Sequence, residues 1–181
     1  MDVETFIKDV KSADWYDNQL VHLEKISGRD PVVGQVDRLL SDGTAAALER
    51  IGIQSFFYHQ AEAINALQNG KNVVISTSTS SGKSLCYNVP VVEALSSDKS
   101  KKALYLFPTK ALSQDQSRGL ERMTALHSNL RHDIFDGDTP AADRTEIRRR
   151  SRIVITNPDM LHLGILPNHK SWHSFFRGLK Y

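Results

Sequence analysis

Apolar residues recur along this chain in two rhythms. Four short runs are wholly or mostly apolar: Val73-Val74-Ile75, Ala103-Leu104-Tyr105-Leu106-Phe107, Asp133-Ile134-Phe135 and Ile153-Val154-Ile155. Branched and aromatic side chains on both faces of an extended segment predict buried strands of a parallel sheet. Between these runs the spacing turns helical, over residues 45–51, 61–67, 85–95, 109–126 and 141–150, and again through Leu163. Strand and helix in alternation predict a three-layer α/β domain with a mainly parallel sheet and right-handed crossovers. Ligands of such a sheet gather at the carboxyl ends of its strands.

The punctuation agrees with this pattern. Gly52 ends one helix, Asn69-Gly70 ends the next, Pro90 interrupts the third, and Pro108 stops a strand just before Thr109, which is placed to cap a helix. Leu179-Lys180-Tyr181 reads as a strand beginning. Residues 1–42 differ: they form a polar, acidic lead with helical spacing over 5–10 and 15–26, broken by Gly28-Arg29-Asp30-Pro31. Trp15 and Tyr16 are expected to pin this lead to the main domain. The expected division is a short helical N-terminal extension, residues 1–42, and one domain, residues 43–181.

A chain of 181 residues is long enough for one well-buried domain and too short for two. No apolar run approaches a membrane span, and Met1-Asp2-Val3-Glu4 lacks the basic start of a secretory signal, so the expected compartment is cytoplasmic with no membrane partner. Cys86 is the single cysteine, which excludes an internal disulfide or a multi-cysteine metal site and suits a core position. The net charge of +2 is unevenly spread. Residues 1–42 hold 5 basic and 9 acidic side chains, whereas residues 141–181 hold 8 and 3. A basic C-terminal third suits a polyanion, although a solvated helix face has the same composition.

The most informative stretch is Asn72 to Ser84. A strand feeds a loop of small hydroxyl residues, Ser76 to Ser81, that closes on Gly82-Lys83-Ser84, with an apolar helix expected from Leu85. Small side chains let backbone N–H groups turn inward, and the helix N-terminus adds partial positive charge. Lys83 can then reach the terminal phosphates of a nucleotide, and the Ser84 hydroxyl stands where a Mg²⁺ ligand is needed. The strict phosphate-loop pattern has a glycine where this chain has Thr77, and an ordinary Ser-rich turn is the competing reading. Gln60, at the head of a helix, can accept from the N6 amine of an adenine and donate to its N7. Further polar clusters follow the other strands: Pro108-Thr109-Lys110, Asp136-Gly137-Asp138-Thr139 and Thr156-Asn157-Pro158. Each alone is a common strand-to-helix turn. Four on one sheet edge suggest a long ligand laid across it.

These residues, in this order, resemble the first RecA-like domain of superfamily 2 helicases of the DEAD/DEAH-box type. Gln60 matches the adenine-reading glutamine, and Thr77-Ser78-Thr79-Ser80-Ser81-Gly82-Lys83-Ser84 matches motif I, with Ser80 in place of a frequent glycine. Pro108-Thr109-Lys110-Ala111-Leu112 is similar to motif Ia, and the Asp136–Thr139 and Thr156–His162 stretches are similar to later strand-gripping motifs. The wording is most similar to a repair-helicase branch that includes the bacterial mitomycin repair factor A. The resemblance runs from about Ala45 to Tyr181. It implies ATP and Mg²⁺ as cofactors, with Lys83 compensating phosphate charge in catalysis and residues 77–84 holding the nucleotide. Single-stranded or partly duplex DNA is the implied partner, with RNA left open. Pro108, Thr109, Lys110, Gly137, Thr139, Thr156 and Asn157 are the implied strand contacts.

Two departures stand out. The position of the family's adenine-stacking aromatic is Gly43 here, with Phe57 or Tyr58 as substitutes. The family's Asp-Glu-x-His box falls just beyond Leu179-Lys180-Tyr181, so residues 1–181 are expected to bind nucleotide without hydrolysing it, pending a second RecA-like lobe. The competing classes are a P-loop phosphotransferase of the nucleoside kinase type and a non-catalytic nucleotide- or nucleic-acid-binding fragment. The cations Arg148, Arg149, Arg150 and Arg152 read by themselves as a solvated helix face and, beside the implied strand contacts, can add to the field there; the spacing of His162, His169 and His173 suggests no metal.

Overall fold

The structure, a computed structural model, describes residues 2–28 and 30–181. Met1, and Arg29 of the expected break at residues 28–31, lie outside the described residues. The chain forms two units, Met1–Pro31 and Val32–Tyr181. The division falls eleven residues before the expected one at residue 42. Residues 33–42 belong to the larger unit because Val33–Gly34 pairs with Phe56–Phe57 and the Ser41 hydroxyl donates to Glu93.

In the smaller unit, helix α1 (Val3–Ser12) starts at Asp2, whose carboxylate accepts from the Thr5 N–H at 2.7 Å. The helix expected over 15–26 does not form. Its apolar residues are largely exposed, Trp15 at 67%. A short amphipathic pattern does not by itself repay the ordering of its backbone.

In the larger unit, strands β1 (Val33–Gly34) and β2 (Phe56–Phe57) make an antiparallel pair flanking α2 (Asp42–Arg50) in sequence. Helices α3 (Tyr58–Gln68) and α4 (Lys83–Ser97) follow. α4 begins two residues before the expected Leu85 and runs on through the buried Pro90. Next come β3 (Ala103–Leu106), α5 (Lys110–Thr124), β4 (His132–Ile134), α6 (Ala141–Arg150) and β5 (Ile153–Thr156). The chain closes with α7 (Pro158–Met160), a π-helical turn (Leu161–Ile165) and α8 (His173–Arg177).

The parallel sheet has the order β3-β5-β4, with Ala103 and His132 both opposite Ile153. β5 is buried at every residue. Its alternation serves both faces. Ile153 and Ile155 join a core with Ile64, Val89, Leu95, Leu120 and Met123 from α3, α4 and α5. Val154 points into a second core with Phe135, Ile147, Ile165, Trp172 and Phe175. This is the three-layer arrangement the pattern predicts. The expected strand at residues 179–181 also begins: Leu179 bridges Lys102 in parallel, Lys180 N–H donates to Lys102 O at 2.8 Å, and Leu104 N–H donates to Tyr181 O at 2.9 Å.

One expected strand is absent. Residues 73–75 have no ladder partner among the described residues, and Val74 is 96% exposed. A strand exists only through the hydrogen bonds of its neighbours, and β-branched residues alone do not create them.

Candidate nucleotide and nucleic-acid site

The loop after residues 73–75 folds around its own lysine. Lys83 Nζ donates to Thr77 O at 3.0 Å, to Thr77 Oγ1 at 3.3 Å, to Ser81 Oγ at 3.4 Å and to Ser78 O. The Thr77 and Ser81 hydroxyls meet at 2.6 Å. Thr77, standing where the strict pattern has glycine, therefore helps hold the ammonium. Two residues adopt the left-handed backbone region, Ser80 with φ 60° and Gly82 with φ 73°. That conformation at Ser80 accounts for the glycine common at this place in the family motif, since a Cβ there costs roughly 1–2 kcal/mol. At Gly82 a side chain would be strained by the positive φ, and its Cβ, 2.4 Å from Gln60 Nε2, would displace the glutamine amide.

Gln60 is 2% exposed. Its Oε1 accepts from the Phe57 N–H at 2.9 Å, closing the start of α3. Its Nε2 donates to Ser81 O at 3.3 Å and Gly82 O at 3.2 Å. The glutamine thus ties α3 to the loop, and reading an adenine requires it to exchange these partners. His59, which the sequence reading passed over, adds a contact from Nε2 to Ser81 O at 3.1 Å. Its adjacency to Gln60 was the available signal. Beside Gly43 the space is filled by the His127 ring, 2.7 Å from where a Cβ would stand. Tyr58 donates its hydroxyl to Glu62, and Phe57 stacks on His59.

The carboxyl ends of β3, β4 and β5 carry the other clusters. Thr109 caps α5 by accepting from the Leu112 N–H at 3.2 Å, as expected, and Asn157 accepts from the Met160 N–H at 2.7 Å. Pro108 and Gly137 are exposed. The Thr139 hydroxyl accepts from the Asp136 N–H at 2.9 Å, which tightens the Asp136–Thr139 turn. Arg144 of α6 holds this turn from outside, donating to Thr139 O at 3.0 Å and Asp136 O at 3.3 Å while lying over the Phe135 ring. Nothing in the charge pattern separated Arg144 from its basic neighbours.

Lys110 pairs with Asp138 at 2.5 Å, and this hydrogen bond pushes the lysine pKa up. A cavity of about 460 Å³ lies between Lys110 and Gln114 on one side and Asp136, Asp138 and Thr139 on the other. Two placements differ from expectation. The Thr156 hydroxyl is buried and donates to Phe135 O at 2.6 Å, so it joins β5 to the end of β4 and does not face solvent. Arg152 is also buried: its guanidinium donates to Leu95 O, Asp98 O and Lys101 O at the end of α4, and burial lowers its pKa. Its guanidinium is therefore not placed for direct contact with a strand, and Arg150 is paired with Glu146.

The loop at residues 77–84, the buried Gln60 and the polar strand ends thus lie on one domain. A model of the DEAD/DEAH box helicase family matches residues 57–181. The chain belongs to this family. It is 40% identical over 97% of its length to the uncharacterized ATP-dependent helicase YprA of Bacillus subtilis, and 42% identical over 98% to the ATP-dependent helicase hrq1 of Schizosaccharomyces pombe. It covers 23% and 17% of those two proteins. The crystal structure of the DUF1998 helicase MrfA bound to DNA and AMPPNP superposes over 100% of this chain and 25% of that one, with TM-score 0.87 and 38% identity. The chain therefore spans about a quarter or less of the length of these relatives. The fold is RecA-like, and membership of this helicase family implies use of ATP. Among the described residues no helix is long and apolar enough to cross a membrane, and no group of three or more His, Cys, Asp and Glu side chains could hold a metal.

The residues present fit a triphosphate. Lys83 is held by neutral oxygens of its own loop, which phosphate oxygens can replace, and Gly82, with no side chain, caps the N-terminus of α4, where helix N–H groups lack partners within the helix.

Proposed function

We propose that this chain is the ATP-binding, strand-gripping motor lobe of an ATP-dependent DNA helicase that serves DNA repair. The observation that carries this reading is the loop at residues 77–84, closed on Lys83 and tied to α3 through Gln60. In the bound state Lys83 compensates β- and γ-phosphate charge, Ser84 supplies a Mg²⁺ ligand, and Gln60 reads the adenine. Bound ATP supplies the phosphoryl group whose hydrolysis drives opening and closing against a second RecA-like lobe. The DNA backbone runs along the carboxyl ends of β3, β4 and β5. There Pro108, Thr109, Lys110, Gly137, Thr139 and Asn157, with the amides at helix starts, hold phosphates without reading bases. Thr156 shapes that edge through its bond to Phe135 O.

The test is a titration of the full-length protein with Mg·ATP. Lys83→Ala is expected to weaken binding by about 2–3 kcal/mol, as for a lost charge-assisted bond. Unchanged affinity would remove the loop assignment. Residues 1–181 alone are expected to bind nucleotide with no steady-state ATPase above background, with or without single-stranded DNA. Hydrolysis also needs a metal held opposite Ser84, a positioned water and charge from a partner lobe. DNA-stimulated turnover by residues 1–181, abolished by Lys83→Ala, would mean that the catalytic set lies within this chain.

A further inference from the structure

The first turn of α3 presents two neighbouring side chains to one peptide of the phosphate loop. His59 Nε2 lies 3.1 Å from Ser81 O, and Gln60 Nε2 lies 3.3 Å from the same oxygen and 3.2 Å from Gly82 O. A carbonyl oxygen only accepts, so the imidazole carries its proton on Nε2 in this contact. The Phe57 ring, 6.0 Å from the imidazole and inclined by 22°, stacks loosely on it.

In a planar trans peptide the C=O and the following N–H point in opposite directions. Holding the Ser81 carbonyl on α3 therefore turns the Gly82 N–H away from α3. Holding the Gly82 carbonyl does the same for the Lys83 N–H. Both amides stand at the start of α4, where helix N–H groups have no partner within the helix and are available to an anion. Gly82 itself is in the left-handed region, with φ 73°.

We propose that His59 is a positioning residue for phosphate binding: its Nε2–H anchors the Ser81 carbonyl so that the Gly82 amide faces the nucleotide phosphates. The proposal rests on the nucleotide-binding reading and adds to it a residue acting through the Ser81–Gly82 peptide. His59 and Gln60 then divide the task. Gln60 is free to exchange partners for an adenine while His59 keeps the loop oriented.

The experiment compares Mg·ATP and adenosine binding by two variants of the full-length protein. His59→Phe keeps a ring stacked on Phe57 and removes the donor. His59→Gln returns an amide donor to the place of Nε2. The Phe variant is expected to bind Mg·ATP about tenfold more weakly, with adenosine affinity unchanged, and the Gln variant to stay within about threefold of the parent. Equal loss for ATP and adenosine, or a Gln variant as weak as the Phe variant, overturns the positioning role. Lys83→Ala measured alongside separates the two levels of the argument. A loss there with unchanged His59→Phe overturns the role of His59 alone, whereas unchanged affinity in all variants overturns the nucleotide reading as well. If His59→Phe does not fold, amide hydrogen exchange of residues 78–84 compares His59→Gln with His59→Asn, whose side chain is too short to reach Ser81 O. Faster exchange in the Asn variant only is the expected result, and equal exchange overturns the proposal.

Discussion

Two triads of branched residues, Val73-Val74-Ile75 and Ile153-Val154-Ile155, are nearly interchangeable as patterns and opposite as structures. The second is the centre of the sheet. It pairs with β3 on one side and β4 on the other, and its alternate side chains enter two different cores. The first has no ladder partner among the described residues, and its side chains border an open groove of about 370 Å³ beside His59, Glu62 and Ala66 of α3. Apolarity makes a segment suitable for burial on both faces. Only neighbouring strands and covering helices carry that suitability out.

The largest expected effect tests this contrast directly. In residues 1–181, Ile155→Ala is expected to lower stability in urea by about 2–5 kcal/mol, because it opens a cavity in a packed core. Val74→Ala is expected to change it by less than about 0.5 kcal/mol, as for an exposed side chain. A loss above about 1 kcal/mol for Val74→Ala would mean that residues 73–75 are covered in solution.

A second pair applies the contrast to the polar residue that follows each triad. Thr156→Val keeps the shape of the side chain but leaves the buried Phe135 carbonyl without its donor, which is expected to cost about 1–3 kcal/mol. Ser76→Ala, at an exposed position, is expected to stay within about 0.5 kcal/mol of the parent. If Thr156→Val leaves stability unchanged and weakens single-strand binding instead, the Thr156 hydroxyl contacts phosphate directly.

The smallest effect concerns the exposed pair at the strand ends. Asp138→Asn frees the Lys110 ammonium and is expected to strengthen single-stranded DNA binding by a few-fold at most, with a steeper salt dependence measured by titration. The pair raises the lysine pKa, so its contribution is complete below the unfolded lysine pKa and is lost as pH rises through the raised folded value. It is constant through neutral pH. Weaker DNA binding by the Asn variant would show that Asp138 orients Lys110 for its ligand.

Much of this was legible from the residues. Strand runs at 103–107, 133–135 and 153–155, the caps at Gly52, Asn69-Gly70 and Thr109, and the beginning strand at Leu179 are local signals that the structure honours. The closed loop at residues 77–84 was visible for the same reason, since its glycine, lysine and hydroxyl residues act within a few positions of one another. The helix expected at 15–26 did not form because apolar spacing alone does not offset the cost of ordering a short helix. His59, Arg144 and Arg152 lay beyond local reading. Each acts on carbonyls 5 to 57 residues away, and no spacing rule links an imidazole on α3 to a turn before α4.

By itself the sequence determined the alternation of strands and helices, the position of the small-residue loop that closes on Lys83 and the residue types offered at each strand end. Those follow from side-chain shape, backbone freedom and hydrophobic period, which neighbouring residues set among themselves. The tertiary structure alone decided which branched triad became a central strand, which arginine was buried under α4, and which hydroxyls at the strand ends remain turned inward. These outcomes depend on hydrogen-bond partners and covering surfaces brought from distant parts of the chain, and a one-dimensional pattern does not contain them.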